Sequence, residues 1–365
     1  MKVNRFRPFL ANPTFKVVLP FSLFFLAPLC VWASFRGFCF MNAFIVPIVL
    51  AFMNQALPFG DSRIQVVGSP GSGGEGPAWH KDLGLLSSGL KGIHCLSPEG
   101  KSSVFLLGAG TNGLAFGPDG HLYACQPEHR RVIRIHPQTK AITLLADQFE
   151  GKKFNTPNDL CFDDQGRLYF SDPRYGDKAD MQLRDKEGNT IEGVYRLDPD
   201  GKMVRVLGRE VERANGVLVS RDGKWLFVAD NNNDTLGGAR KLWRFPRLAD
   251  GSVNAAKREL VYDWKQGRGP DGLKQDSNGI LYVAGGLNKP NPPFEPDVIP
   301  GGIFVLDPQK EAGKRLITIL PIPTDEVTNC AFGGSDLRTL FATGGGVLYS
   351  IRTEAPGHVR FSNAK

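Results

Sequence analysis

The chain has 365 residues, enough for one large domain or two ordinary ones, and carries 44 Lys and Arg against 37 Asp and Glu, a formal net charge of +7. Five of the 44 bases, Lys2, Arg5, Arg7, Lys16 and Arg36, lie in the first 60 residues, which hold no acid. That leaves 39 bases against 37 acids in the remainder, with no basic stripe, and excludes nucleic-acid binding.

In chain order, the first 60 residues stand apart. Val17–Trp32 and Phe38–Met53 are apolar runs interrupted by Pro20, Pro28 and Pro47, with bases ahead of the first run. Neither is a clean span of about 20 apolar residues. The pattern is that of an export signal, or a signal plus anchor, with cleavage regions at Val31–Ala33 and in the stretch up to Ala56. Met41 is an alternative start, though the leader would then lack its charged head. A buried apolar helix of the globular domain is the competing reading. The expectation is an exported protein, periplasmic or extracellular, with the leader available as a membrane tether and one domain over 61–365.

Beyond the loop-like Ser69–Gly74, six apolar segments open with a side-chain oxygen donor: Glu75-Gly-Pro-Ala-Trp, Asn112-Gly-Leu-Ala-Phe, Asn158-Asp-Leu-Cys-Phe, Asn215-Gly-Val-Leu-Val, Asp271-Gly-Leu-Lys-Gln and Thr328-Asn-Cys-Ala-Phe. They recur at intervals of about 37 to 57 residues, a range that marks stacked or radially arranged units. Most run through a turn into a second strand. Leu114-Ala-Phe passes Pro118-Asp-Gly to reach Leu122-Tyr-Ala-Cys, and Leu160-Cys-Phe passes Asp164-Gln-Gly to reach Leu168-Tyr-Phe-Ser. Third strands such as Arg131-Val-Ile-Arg-Ile and Gly193-Val-Tyr-Arg-Leu follow, then a fourth such as Met203-Val-Arg-Val-Leu. Long helical periodicity is absent. The fold class is therefore all-β, a six-bladed β-propeller with four-stranded blades, preceded by the hydrophobic leader. A β-sandwich gives no reason to repeat one hairpin six times with the same kind of first residue. Ring closure is expected to join the early strand Arg63-Ile-Gln-Val-Val to the last blade.

Cys30 and Cys39 belong to the leader. Cys95, Cys125, Cys161 and Cys330 sit inside strand-like runs with no Cys-x-x-Cys pair, so buried thiols are expected over disulfides or zinc ligands.

In a propeller the innermost strand of each blade lines the central channel, so the six opening residues meet at one mouth. Glu75, Asn158, Asn215 and Asp271 would bring two anionic and two neutral oxygens, a donor set suited to a hard divalent cation. Each has a plainer reading: Asn-Gly and Asp-Gly are common turn pairs, and Glu75 alone could be a solvated loop residue. Turn chemistry does not explain why every repeat carries such a residue. Asn112 is either pocket lining or a turn, and the sixth position is Thr328 or Asn329.

Together Glu75-Gly-Pro-Ala-Trp, Phe154-Asn-Thr-Pro-Asn-Asp-Leu160, Phe170-Ser-Asp-Pro-Arg-Tyr-Gly176, Ala214-Asn-Gly, Pro270-Asp-Gly and Thr328-Asn-Cys-Ala-Phe-Gly-Gly334 resemble the gluconolactonase and senescence-marker-protein (regucalcin) family, its bacterial gluconolactonase branch above all. The resemblance runs from about residue 74 to 352. It implies a metal-dependent hydrolase that opens a sugar lactone, with Glu75, Asn158, Asn215 and Asp271 as ligands of one divalent cation and Asp271 also as base. Ca²⁺ is the first expectation for the cation, with Mg²⁺, Mn²⁺ and Zn²⁺ as alternatives. The expected chemistry is Lewis-acid activation of the lactone carbonyl and attack by water. The chain departs from the family in two places. Leu85–Leu90 lacks an Asp that many members carry, and Thr156 stands where some animal members have an Arg that binds the sugar acid.

Asn112, His129, Arg174 and Tyr175 are candidates for contact with substrate, with ordinary loop residues as the alternative for the last three. The Pro-rich Pro290–Pro296 reads as a lid or a stiff connector. Two other functions compete: a metal-dependent aryl-ester or phosphotriester hydrolase using the same cup, and a non-catalytic ligand-binding propeller, since fold alone does not choose among them.

Overall fold

A computed structural model describes residues 58–296 and 298–361. Most of the leader expected over 1–60 lies outside the described residues. Pro58 and Phe59 already belong to the propeller: the Pro58 carbonyl accepts the Glu354 N–H at 2.9 Å, and Phe59 is buried edge-on against Tyr282.

Six antiparallel four-stranded sheets form the blades. Their inner strands are Glu75–His80, Leu114–Phe116, Leu160–Phe162, Ala214–Val219, Pro270–Gln275 and Val327–Gly333, for blades 1 to 6. Each inner strand touches the next in sequence order, and the sixth touches the first, so the ring is closed. Closure is made as expected: Gln65–Val67 is the outermost strand of blade 6, with Gln65 opposite Ser350 and Val67 opposite Leu348. The first two strands of each blade are joined by a short turn. Gly120 takes φ 72°, and its N–H bonds to the Gly117 carbonyl at 3.1 Å. In blade 6 Leu337 takes that left-handed role at φ 56°.

Strand alternation sends one face of each sheet into each cleft between blades. Six hydrophobic clusters result, one per cleft, including the cleft where blade 6 meets blade 1 through Trp79, Leu85, Phe341 and Leu348. Cys95, Cys125, Cys161 and Cys330 are free thiols. Burial pushes those of Cys161 and Cys330 up to about 12, as expected of thiols without a chemical role.

After the last strand the chain crosses the channel end opposite the inner-strand starts. Ser277 N–H bonds to the Pro356 carbonyl at 2.8 Å, Gly357 N–H to the Leu337 carbonyl at 2.8 Å, and His358 N–H to the Gln275 carbonyl at 2.9 Å. Phe361 packs on Phe162, and a cavity of about 100 Å³ is left between this tail and the inner strands. The channel is thereby stoppered at this end.

Candidate active site

Glu75, Asn112, Asn158, Asn215, Asp271 and Thr328 each lie at an irregularity near the start of an inner strand. In blades 1, 4 and 5 the pairing slips by one residue between Glu75 and Ala78, Ala214 and Val217, and Pro270 and Leu273. In blade 6 the slip falls between Val327 and Asn329, which makes Thr328 the counterpart of Asn215. Blades 2 and 3 show the same irregularity: Cys125 bonds with both Asn112 and Gly113, and Ser171 with both Asn158 and Asp159. A bulge re-aims the side chain it carries, so six bulges at one level turn six side chains out of the sheet pattern at the mouth.

The residue after each bulged position is where neighbouring strands come closest. A β-carbon on Gly76 would collide with the Asn112 carbonyl, one on Gly113 would lie 2.6 Å from the Asn158 carbonyl, and one on Gly216 would collide with the Asp271 carbonyl. A β-carbon on Gly272 would likewise collide with the Asn329 side chain, so the Gly of the Asn215 and Asp271 pairs serves close approach inside a strand, and the turn reading of Asn215 and Asp271 is corrected. Blades 3 and 6 carry Asp159 and Asn329 at this second level. Asn329 Nδ2 donates to Glu75 Oε1 at 2.8 Å, and Lys274 Nζ lies 3.5 Å from Asn329 Oδ1.

Two carboxyls and three carboxamides therefore surround the mouth. Burial pushes Glu75 up to about 7, opposed by the Asn329 hydrogen bond and reinforced by the Asp159 carboxylate. Asp271 is held well above the ordinary carboxylate range, first by burial and then by the Glu75 carboxylate. The carboxamide oxygens of Asn112, Asn158 and Asn215 are buried with no hydrogen-bond partner. Unpaired buried oxygens are costly, and repelling buried carboxyls more so, unless something cationic belongs between them. Among the described residues no three His, Cys, Asp or Glu side chains gather as a metal site. The donors at the mouth are two carboxylates with neutral amides, all oxygen, which fits a hard cation such as Ca²⁺.

Two motifs of blade 3 are clamped together. Asn155 N–H bonds to Asp172 Oδ2 at 2.8 Å and its side-chain amide to the Asp172 carbonyl at 2.9 Å. Thr156 gives its hydroxyl to the Pro173 carbonyl at 2.5 Å, so it braces the loop that delivers Asn158. Burial pushes Asp172 up to about 8.

The four candidates for substrate contact separate. Asn112 lines the mouth. Tyr175 reaches it: Asn215 Nδ2 donates to its hydroxyl at 2.8 Å, and burial with the Asp271 carboxylate raises the phenol. Arg174 does not join them. Its guanidinium is held by Asp180 Oδ1 at 2.7 Å and the Asp177 carbonyl at 2.6 Å. His129 is exposed in the short 3₁₀ turn Pro127–His129. Thr328, the sixth bulged residue, spends its hydroxyl on Gly74 and Thr343, each at 2.8 Å. The Pro-rich segment is a fixed connector, because fully buried Glu295 pairs there with Arg268, three residues before Asp271. Sequence reasoning passed over Arg213, Asp159 and Lys274. A buried-type Arg two residues before a candidate ligand was the one available signal.

A six-bladed propeller with an oxygen-donor ring at its channel mouth is the class defined by this fold and site. The model of the SMP-30/gluconolactonase/LRE-like region matches residues 73–345, and the chain belongs to that family. It is 28% identical over 320 residues to a gluconolactonase of Zymomonas mobilis, covering 80% of this chain and 82% of the relative. It is 30% identical over 259 residues to the lactonase drp35 of Staphylococcus saprophyticus, covering 65% and 74%. Among solved structures, a gluconolactonase from Xanthomonas campestris superposes with a TM-score of 0.66 at 26% identity, over 82% of this chain and 93% of that one.

Proposed function

We propose that this protein opens a sugar lactone at the channel mouth, in a reaction that depends on one divalent cation, with Ca²⁺ as the first candidate. Family membership and the lactonases among its relatives support a lactone-hydrolysing enzyme, a carboxylic-ester hydrolase. The observation that carries the metal dependence is the pair of buried, unpartnered oxygens Asn158 Oδ1 and Asn215 Oδ1 at the same mouth as two buried carboxyls, Glu75 and Asp271, the first of which raises the second.

Glu75, Asn158, Asn215 and Asp271 would hold the cation, the two carboxylates balancing its charge. When bound, the cation supplies Lewis-acid polarisation of the lactone carbonyl. Asp271 accepts the proton of the attacking water. A neighbouring cation lowers a carboxylate's basicity, and burial of Asp271 works in the opposite sense, which keeps it a usable base. The new C–O bond forms at the carbonyl carbon, the ring C–O bond breaks, and Asp271 returns its proton to the departing ring oxygen. The product is the open-chain hydroxy acid. Asn112 stands where a substrate hydroxyl would be met.

A panel of aldonolactones and aryl esters, assayed with Ca²⁺ and with chelator, tests the reading. Turnover of a lactone that vanishes with chelator and returns with Ca²⁺ is expected; turnover confined to aryl esters, or none on any substrate, would overturn it.

The acid-free, apolar first 60 residues support a location outside the cytoplasm, with the leader as export signal or tether. Fractionation of cells expressing the full chain should recover it in the periplasm, the medium or the membrane; recovery solely in the cytosol would overturn this.

A further inference from the structure

Tyr175 belongs to the mouth loop of blade 3, yet its hydroxyl meets the bulged residue of blade 4. Asn215 Nδ2 donates to Tyr175 Oη at 2.8 Å. A carboxamide has a donating end and an accepting end that diverge from one carbon. With the nitrogen engaged by Tyr175, Asn215 Oδ1 is turned away from it and lies buried without a partner. A phenol from the neighbouring blade thus helps orient this amide, whose donating end also serves the Asp271 carboxylate.

The phenol is itself seated. The Arg213 guanidinium lies 4.8 Å from the centre of the Tyr175 ring, within cation–π range. Arg213 is fully buried and fixed by Glu192 Oε2 at 2.6 Å and Asp234 Oδ1 at 2.9 Å. Lys178 joins the same two carboxylates at 3.4 and 3.6 Å. Glu192 Oε2 also accepts the backbone N–H of Arg174, the residue before Tyr175. These contacts stitch the blade 3 loop to the start of the blade 4 inner strand at the point where Tyr175 faces Asn215.

We infer that Tyr175, seated by Arg213, is a positioning residue that holds the Asn215 carboxamide with its oxygen toward the mouth and thereby sets the affinity of the site for a divalent cation. The inference rests on the cation reading proposed above. It assigns Tyr175 a role through Asn215, distinct from direct contact with substrate. Partners that orient a metal ligand typically matter by about 10- to 100-fold in metal affinity.

The test is calorimetric titration of Ca²⁺ and Mn²⁺ into metal-stripped wild type, Tyr175→Phe, Asn215→Ala and the double variant, with lactone KM measured at saturating cation. Tyr175→Phe removes one oxygen and keeps the ring on Arg213, and a thermal melt close to wild type reports that the fold is kept. The expected result is a cation Kd about tenfold weaker for Tyr175→Phe, no further weakening by that change in the Asn215→Ala background, and a nearly unchanged KM. An unchanged Kd, an equal loss in the Asn215→Ala background, or a raised KM with unchanged Kd would overturn the positioning role. Wild type that takes up neither cation would overturn the cation reading, an outcome read before any variant is compared.

Discussion

The backbone carbonyl of Asp271 fills the space where a β-carbon on Gly216 would lie. These residues sit on adjacent inner strands, and each follows or forms part of a bulge at the mouth. The absence of a side chain at 216 therefore decides how near Asn215 and Asp271 can come to each other.

Gly216→Ala should push the two strands apart at the mouth. Overpacking of this kind costs about 1–3 kcal/mol. The expected outcome is that loss in urea denaturation together with at least a tenfold weaker cation Kd by calorimetry. An alanine variant with wild-type stability and affinity would show that the approach of the strands is not limiting.

Asp271→Asn keeps the size of the side chain and removes both a charge and the proposed base. Loss of a positioned general base costs roughly 10²- to 10⁴-fold in rate. Lactone kcat should fall by at least that lower bound even at saturating cation. Near-normal kcat once enough cation is supplied would leave Asp271 as a ligand alone.

Asp172 gives a pH dependence independent of the mouth carboxyls. Its folded-state pKa is pushed up to about 8 from an ordinary value of 3.8, chiefly by burial. Between those values the folded protein binds more protons at this group than the unfolded chain, so stability falls as pH rises from about 4 to about 8. Melting curves across that window should decline in wild type, and Asp172→Asn should flatten the decline. An equal slope in both proteins would assign the pH dependence elsewhere.

Much of this was written plainly in the chain. The donor-first repeats gave the six inner strands, because a propeller reuses one hairpin, and Arg63–Val67 was visible as a strand without a blade of its own. The register at Thr328 was not legible, since Thr-Asn offers two oxygen donors and only the bulge between Val327 and Asn329 separates them. The glycines misled in isolation: Asn-Gly reads as a turn from sequence, and its strand role depends on a carbonyl supplied by another blade. Arg174 looked free beside Tyr175, but Asp180, six residues on, holds it. The tail at the closed end carries no repeat signal at all.

That tail predicts a separation of stability from binding. Deleting residues 357–365 removes Phe361 from Phe162 and uncovers Phe332, against which Gly357 packs. Exposing one large aromatic contact costs about 2 kcal/mol, or roughly 5 °C in a domain of this size. Differential scanning calorimetry should show that drop while cation Kd stays within about twofold, because the mouth is at the other end. A truncated protein that melts normally but no longer binds cation would reverse the assignment of the two ends.

The central claim is that carboxylates and carboxamides from separate blades share one divalent cation on which lactone hydrolysis depends. The most direct measurement is Ca²⁺ stoichiometry by equilibrium dialysis of wild type and Glu75→Gln, with gluconolactone hydrolysis followed in the same samples. One tightly held ion per chain is expected in wild type, with binding weaker by about a hundredfold or more in Glu75→Gln and hydrolysis that tracks occupancy. Full-rate hydrolysis by metal-stripped wild type in excess chelator would contradict it.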